Sequence, residues 1–422
     1  MLIYLIFAVV IVLYTTLCWF YSDKVFFLIP IFIPFYFLRI NFFGVDISPV
    51  ELALIIFLIT FFFRFKDFYN KKIQEIMQNK LPEYFWAILF LLAGGFLSVA
   101  FSDNFLSSLH AFFAWFIEPI LIFMVGIKIL SSTKNKEVFL RLLFLSYTLI
   151  LTTSLIYLAL NIKDNGRLSS FYNSPNFLVM VLEIFLPIIV ALIFFRRNTF
   201  WQGLLFFLII VASVVVFIST QSFGGALAIV AAGFWMLFFV SLNLKKRPAT
   251  FYFTAIFIGL CLVLFFITVL NSGKIDRLLV GSSQSSINSR LPIWKASFDI
   301  LKNNWVLGIG PNSFLSEFHL MQKKLGLNLD FLVVPQPHNI YLAFWLEGGI
   351  LGFMGFLWIV KNVFNNLIHK LKLENQGGLR WLAIGLGGSL IAILAHGFFD
   401  TPYFKMDLAY YFWMIILLIK IL

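Results

Sequence analysis

The sequence contains few charged residues and almost no cysteine. Of its 422 residues only 12% are charged, about half the share typical of soluble domains, whereas 61% are hydrophobic. With a mean hydropathy of +0.97 these apolar residues cannot all face one interior, which excludes a water-soluble fold. The two cysteines, Cys18 and Cys261, each lie inside an apolar run, which argues against a disulfide scaffold. No Cys or His cluster has metal-ligand spacing, so no metal site is expected.

Apolar runs of about twenty residues recur along the whole chain and predict an all-α polytopic integral membrane protein with about twelve or thirteen transmembrane helices. The predicted spans are 2–20, 25–38, 48–63, 84–101, 107–127, 139–161, 175–195, 201–219, 222–242, 251–270, 340–362, 380–399 and 407–421. The second run carries Pro30 and Pro34, which predicts an interfacial or broken element. The opening residues lack a basic stretch and no A-x-A site follows them, so we expect the first run to stay in the protein.

Basic residues cluster in alternate loops and predict the orientation of the chain. These loops are 64–80, 128–141, 196–197, 245–247 and 361–380. By the positive-inside rule they face the cytoplasm, and the loops at 102–106, 162–174 and 220–221 face outward. The net charge of +12 is therefore largely topological, and no nucleic acid partner is expected.

One outward loop, 271–337, is much longer than the others and lies within a single transmembrane domain that we assign to 1–422. Leu291, Trp294, Phe298 and Leu301 fall on one face of a helix at 290–302, with its charged residues elsewhere, which predicts an amphipathic helix that lies on the membrane surface or caps a cavity.

His338 stands at the predicted outer end of a span. Pro337 ends the long loop, and Asn339 can cap a helix that starts near Ile340. The positive end of the helix dipole disfavours a protonated imidazole, and the neutral form is the one that a general base requires. An interfacial histidine satisfied by hydrogen bonds is an equally good interpretation.

Two arginines are candidates for binding phosphate. Arg167 lies in a turn-rich stretch that leads to Ser174, a predicted helix cap, and Pro175. A guanidinium beside a helix N-terminus can form a phosphate-binding site, although an arginine at this position more commonly anchors the chain at the membrane interface. Arg290 opens the predicted amphipathic helix, where an ordinary solvated arginine is the alternative.

Ionisable residues inside spans are costly and suggest function. Glu118, Glu183 and Glu347 could relay protons in a transporter. His396 and Asp400 lie one helical turn apart at another outer end, where they could pair or line one cavity.

Three stretches form a pattern that matches a known family. They are Gly166-Arg167 followed by Ser174-Pro175-Asn176; Arg290 and Trp294 followed by Gly308-Ile309-Gly310-Pro311-Asn312-Ser313-Phe314; and His338-Asn339, nine residues, Gly349, two residues and Gly352. With the predicted architecture, this pattern resembles the O-antigen ligase and O-antigen polymerase superfamily of bacterial envelope glycosyltransferases. The chain departs from the family at Thr220-Gln221-Ser222-Phe223, where many relatives carry Ser-Arg, so a third arginine contact is in doubt.

The resemblance implies a metal-independent, cofactor-free transfer of a glycan from undecaprenyl pyrophosphate at the outer face of the bacterial inner membrane. We assign His338 as the catalytic base, and Arg167 and Arg290 as the groups that bind the donor pyrophosphate. Supporting candidates are Asn176, Asn339, Glu347, His396 and Asp400. The expected partners are the lipid-linked donor, a glycan or lipid acceptor such as lipid A-core, and membrane lipid.

Two alternatives remain. A polysaccharide polymerase of the same superfamily would use the same chemistry, although the spacing from His338 to Gly349 favours a ligase. A lipid-linked glycan flippase or small-anion transporter ranks lower, because the sequence shows no clear internal symmetry and its polar residues gather at one side.

Overall fold

The computed structural model is an all-α polytopic membrane protein, as the sequence predicts. It describes residues 2–42, 45–64, 82–130, 132–195, 199–242, 290–325, 334–373 and 378–422, together with residues 255, 259, 262, 263 and 266. Within these residues, eight helices are long and apolar enough to cross a membrane, and three shorter apolar helices accompany them. Most of the predicted span at 251–270 lies outside the described residues, as do the basic segments 65–80, 196–197 and 245–247.

The N-terminal part is the least regular. Helix α1 (Leu2–Val25) is followed by a broken segment, in which the short helix α2 (Ile29–Phe32) lies between 3-10 turns at Phe26–Leu28 and Ile33–Phe35. Pro30 and Pro34 cannot donate backbone hydrogen bonds, which accounts for the predicted interruption. A hairpin of β1 (Ile40–Phe42) and β2 (Val45–Ile47) follows.

The rest of the described chain is helical. Its elements are α3 (Pro49–Arg64), α4 (Pro82–Ala100), α5 (Phe105–Phe112), a π-helical turn (Phe113–Ile117), α6 (Glu118–Ile129), α7 (Thr133–Ala159), α8 (Pro175–Phe195), α9 (Phe200–Thr220), α10 (Phe223–Ser241), α11 (Arg290–Asn304), α12 (Phe314–Leu325), α13 (Ile340–Leu373), α14 (Gly378–His396) and α15 (Met406–Ile421).

Helix α15 forms the centre of the bundle. Every residue from Met406 to Ile419 is buried, although the helix is as apolar as one that faces lipid. Helix α8 packs against α14, α9 and α10 and is also largely buried. Helix α9, in contrast, buries only 22% of its most apolar window inside the protein and leaves the remainder for lipid.

A kink at Gly349 divides α13 and receives part of the long loop. Gly349 has φ +61°, and a Cβ there would lie 2.2 Å from the carbonyl oxygen of Val306. The kink frees the Leu346 carbonyl, which accepts from the Ile309 amide at 2.7 Å, while the Ile350 amide donates to the Val306 carbonyl at 3.1 Å. The loop thereby satisfies the backbone groups that the kink exposes.

Gly352, the second glycine of the predicted pattern, lies where α13 crosses α4. A Cβ on Gly94 of α4 would approach the Gly352 nitrogen to 2.2 Å, so the two backbones are in direct contact. The spacing from Gly349 to Gly352 therefore serves a loop insertion and a close helix crossing.

The predicted helix in the long loop is present as α11, but it packs through a different face. Leu291 and Phe298 are 54% and 53% exposed, whereas Ile293, Ala296 and Ile300 are buried. Together with Leu301 of the predicted face, these buried residues pack α11 against α12 and α13. Leu291 and Phe298 thus point away from the protein core, whereas Trp294 packs against it.

Candidate functional site

His338 and Asp400 form the centre of the site. Nδ1 of His338 lies 3.0 Å from Oδ1 of Asp400, and their side chains are 30% and 4% exposed. His338 lies two residues before the start of α13 and has φ +49°, a left-handed conformation that histidine adopts more readily than most residues. Asn339 caps α13 as predicted, since its Oδ1 accepts from the amides of Tyr341 and Leu342 at 3.0 Å.

The charge on Asp400 determines which imidazole nitrogen is available. Burial alone would raise the pKa of Asp400, but the charge of His338 and its hydrogen bond, together with the charges of His396 and Arg290, lower that pKa below its ordinary value. An ionised carboxylate can only accept, so Nδ1 of His338 carries a proton and donates it. In a neutral ring, Nε2 then has a free lone pair that can accept a proton.

Asn176, at the start of α8, connects Asp400 to the first predicted arginine. Its Nδ2 donates to Oδ2 of Asp400 at 2.8 Å, and its Oδ1 accepts from Arg167 at 3.1 Å. The hydroxyl of Ser222, which caps α10, donates to the same Oδ1 at 3.1 Å. Arg167 also donates through Nε to the carbonyl of Thr220 at 2.9 Å. The backbone carbonyl of Thr220 thus holds Arg167 directly, and the side chain of Ser222 holds it indirectly through Asn176.

Arg290, the first residue of α11, approaches the same carboxylate. Its guanidinium lies 3.8 Å from Oδ2 of Asp400, and its side chain is 13% exposed. Burial lowers the pKa of Arg290 and, together with the positive charge of Arg290, lowers the pKa of Arg167. Both guanidinium groups remain charged, because arginine is always protonated in proteins. One turn along α11, the indole of Trp294 donates to the His338 carbonyl at 3.4 Å.

The remaining sequence candidates lie at different places. Asn339 is a helix cap whose Nδ2 also donates to the carbonyl of Phe398 at 3.2 Å. The imidazole of His396 pairs with Glu183 and not with Asp400. Glu347 is fully buried, and its Oε2 accepts from the amide of Asn312 at 3.3 Å, so it lies at the inserted loop and outside the cluster.

The structure therefore brings five predicted residues together: Arg167, Asn176, Arg290, His338 and Asp400. Sequence reasoning missed the contacts of Ser222 and Trp294 and the pairing of Glu183 with His396. Ser222 lies within the stretch that departs from the family pattern, and Trp294 lies one turn after Arg290, but neither signal specifies a partner. Within the described ranges, no group of three or more His, Cys, Asp or Glu is arranged to hold a metal ion.

Comparison with known protein families identifies a match. Residues 208–357 match the family model described as O-antigen ligase. No curated protein matches the chain significantly. The matched segment includes Arg290 and the pattern from His338 to Gly352, whereas Arg167 and Asn176 precede it. Over residues 208–357 the chain is therefore similar to the O-antigen ligase family, which confirms the predicted resemblance to the O-antigen ligase and polymerase superfamily.

Proposed function

We propose that the chain is a multi-pass glycosyltransferase of the bacterial inner membrane that transfers a glycan from undecaprenyl pyrophosphate to an acceptor such as lipid A-core. The observation that carries the proposal is the contact between His338 and Asp400, with the Arg290 guanidinium beside the same carboxylate and that of Arg167 joined to it through Asn176. The basic loops at the other ends of the helices support a site at the outer face. The family match supports the ligase reaction.

In the proposed reaction, His338 acts as the general base. Nε2 accepts the proton of the acceptor hydroxyl, whose oxygen attacks the anomeric carbon of the donor glycan. The bond between that carbon and the pyrophosphate oxygen breaks, and its electron pair leaves with the pyrophosphate. Asp400 fixes the ring through Nδ1 and stabilises the imidazolium that forms. Displacement from the opposite face inverts the anomeric configuration.

The leaving group gains negative charge, which Arg167 and Arg290 neutralise. A guanidinium presents several donors in a fixed plane and can bind two phosphate oxygens at once. Both side chains are largely enclosed, which strengthens their electrostatic attraction to the phosphates. Two such groups beside the base provide the charge stabilisation that a transfer without a metal ion requires.

The decisive experiment measures glycan transfer by purified protein in liposomes that contain the lipid-linked donor and an acceptor. We expect His338→Ala to lower the rate by about 100-fold or more, since that is the usual contribution of a general base. His369→Ala is the matched control, because His369 is exposed at the other end of α13. Near-normal transfer by His338→Ala would contradict the proposal, whereas translocation of an unaltered donor by the wild-type protein would favour a transporter.

A second measurement separates the ligase from the polymerase, which uses the same base and leaving group. In a deletion strain, loss of a ligase leaves long glycans on undecaprenyl pyrophosphate, whereas loss of a polymerase leaves single repeats on the acceptor. We expect long stranded chains. Retention of transfer activity after treatment with a chelator would support the metal-independent mechanism.

A further inference from the structure

A second acid–imidazole pair, formed by His396 and Glu183, lies at the start of the turn that carries Asp400. Nδ1 of His396 is 2.7 Å from Oε2 of Glu183, and the two side chains are 1% and 0% exposed. His396 is the last residue of α14, and Glu183 lies in the middle of α8. We refer to these two residues as the buried pair.

The buried pair is enclosed by a third helix. A Cβ on Gly224 of α10 would lie 2.7 Å from both Cδ2 and Nε2 of His396, so only glycine leaves room for this ring. Among the described residues, Nε2 of His396 and Oε1 of Glu183 have no hydrogen-bond partner. The contact between Nδ1 and Oε2 therefore determines the orientation of the imidazole.

The backbone of His396 connects the buried pair to the site. Its carbonyl accepts from the amides of Phe399 at 2.8 Å and Asp400 at 3.0 Å, and so forms the turn that carries Asp400. The next carbonyl, that of Gly397, accepts from the amide of Ile340 at 2.7 Å. This second bond holds the start of α13, two residues after His338. The position of His396 thus determines the positions of both His338 and Asp400, which we refer to as the upper pair.

Stability alone gives a poor account of the buried pair. Burial of an acid and a base costs several kcal/mol of desolvation per ion, and apolar residues of similar volume often stabilise a protein as well or better. Ionisable residues within membrane segments are for this reason expected to serve function. The charged groups that face the carboxylate of Asp400 are His338, Arg290, Arg167 and His396, and Glu183 faces His396 from α8.

We propose that Glu183 and His396 are positioning residues for glycan transfer, which hold the turn at 396–400 so that Asp400 orients the imidazole of His338. This inference rests on the proposed function. The buried pair does not touch substrate. It acts through the backbone of the turn and the carboxylate of Asp400.

The test exploits the two ring nitrogens of His396. Asparagine places its amide near the position of Nδ1, where it can still donate to Glu183, whereas glutamine places its amide near Nε2. We expect His396→Gln to lower kcat at least about tenfold with KM for the donor changed by less than about twofold. His396→Asn should recover most of kcat. A damaged fold would instead raise KM or reduce the membrane level of both variants.

A matched control is available in another buried acid. Glu118 of α6 accepts from the hydroxyl of Tyr410 in α15, and Glu118→Gln removes a comparable buried charge. We expect this variant to keep kcat, whereas Glu183→Gln lowers it. Equal losses in Glu118→Gln and Glu183→Gln, or equal kcat in the two His396 variants, would overturn the proposal.

A spectroscopic readout is independent of activity. With 15N-labelled histidine in lipid nanodiscs, His338 should show the Nδ1-protonated tautomer, and a His338→Gln variant identifies its signal. In His396→Gln we expect this signal to broaden or shift toward a mixture of tautomers. An unchanged signal would overturn the positioning role. If the wild-type protein transferred no glycan, the proposed function would fail while this measurement still tested the pair.

Discussion

The two acid–imidazole pairs use the same atoms in opposite surroundings. In each, Nδ1 of a histidine meets a carboxylate, at 3.0 Å for His338 and Asp400 and at 2.7 Å for His396 and Glu183. The imidazole of the first pair is 30% exposed, whereas that of the second is 1% exposed. Only the first can meet an acceptor hydroxyl. The chemistry of a pair therefore says less about its role than the access to its second nitrogen.

The surroundings of the two carboxylates differ as well. The carboxylate of Asp400 accepts hydrogen bonds from His338 and Asn176 and forms an ion pair with Arg290, so several groups stabilise its negative charge. Glu183 has one hydrogen-bond partner among the described residues. A carboxylate with several partners can orient a base and still remain ionised, whereas one with a single partner mainly fixes that partner in place.

The largest effect on glycan transfer is expected when Asp400 is neutralised, and the single variant that neutralises Glu183 provides the comparison. Asp400→Asn removes the charge that stabilises the imidazolium and can present its amide to Nδ1, which would favour the wrong tautomer. We expect transfer to fall by about 100-fold or more. Glu183→Gln should lower transfer by only about tenfold, because it acts through the position of the turn. Equal losses in liposome assays at matched protein amounts would erase the distinction between the pairs.

The substitution Asp400→Asn should also change the stability of the protein. The folded-state pKa of Asp400 is lowered, so the stabilising contribution of its charge is present above the ordinary carboxyl pKa of about 3.9 and is lost as the pH falls through the lowered value. The melting temperature of Asp400→Asn should therefore lie below that of the wild type at pH 7. The gap should narrow only at acid pH. A gap that stays constant down to pH 3 would contradict the ionised state of Asp400.

The next largest effect concerns the arginines, which surround only the upper pair. Replacing Arg167 or Arg290 with lysine keeps the charge but removes the planar arrangement of donors, so we expect turnover to fall at least about tenfold. An interfacial anchor would tolerate lysine, which reaches the headgroups equally well. Arg141→Lys is a suitable control, because Arg141 is exposed on α7 beside Glu137. Full activity of both variants would remove the arginines from the mechanism.

Much of the fold could be predicted from composition, but the environment of each helix could not. The runs that form α9 and α15 are both apolar in sequence, yet α9 faces largely outward and α15 is buried from Met406 to Ile419. Hydropathy reports that a helix avoids water and does not distinguish lipid from protein. For α11 the same ambiguity placed Leu291 and Phe298 on the predicted packed face, although both are exposed and Ile293, Ala296 and Ile300 are buried instead.

The site shows a similar limit. Arg167, Arg290 and His338 could be identified because each lies beside a predicted helix start and in a stretch that resembles the family. Asp400, which contacts His338 and Arg290 directly and Arg167 through Asn176, was a supporting candidate only, because a carboxylate one helical turn from a histidine suggests a local pair. The observed partners are 62 and 110 residues away in the chain, counted from Asp400 to His338 and to Arg290. Spacing along a helix carries no information about such contacts.

A smaller effect should follow from the different solvent exposure of the two imidazoles, and it can be measured by chemical labelling. Diethyl pyrocarbonate modifies unprotonated imidazole that solvent can reach, so His338 should be labelled and His396 should not. Mass spectrometry of the peptides that contain each histidine measures this directly. His369, which is exposed, provides an internal reference for full labelling. Labelling of His396 at a rate similar to that of His338 would mean that the lower pair is open to solvent.

The smallest effect is expected at Ser222, and it tests whether the upper pair depends on a neighbouring helix cap. Ser222 and Ser132 are both N-cap residues whose side chains accept from a backbone amide three residues later, in α10 and α7. Removing either cap should cost about 1 kcal/mol of stability. Only Ser222 also donates to Asn176, which holds Asp400 and Arg167. We therefore expect Ser222→Ala and Ser132→Ala to lower the melting temperature to a similar extent, and Ser222→Ala alone to reduce transfer, by about threefold, since one neutral hydrogen bond contributes roughly 0.5–1.5 kcal/mol. If Ser132→Ala reduced transfer equally, the loss would reflect stability, and the contact of Ser222 with Asn176 would have no part in positioning the carboxylate.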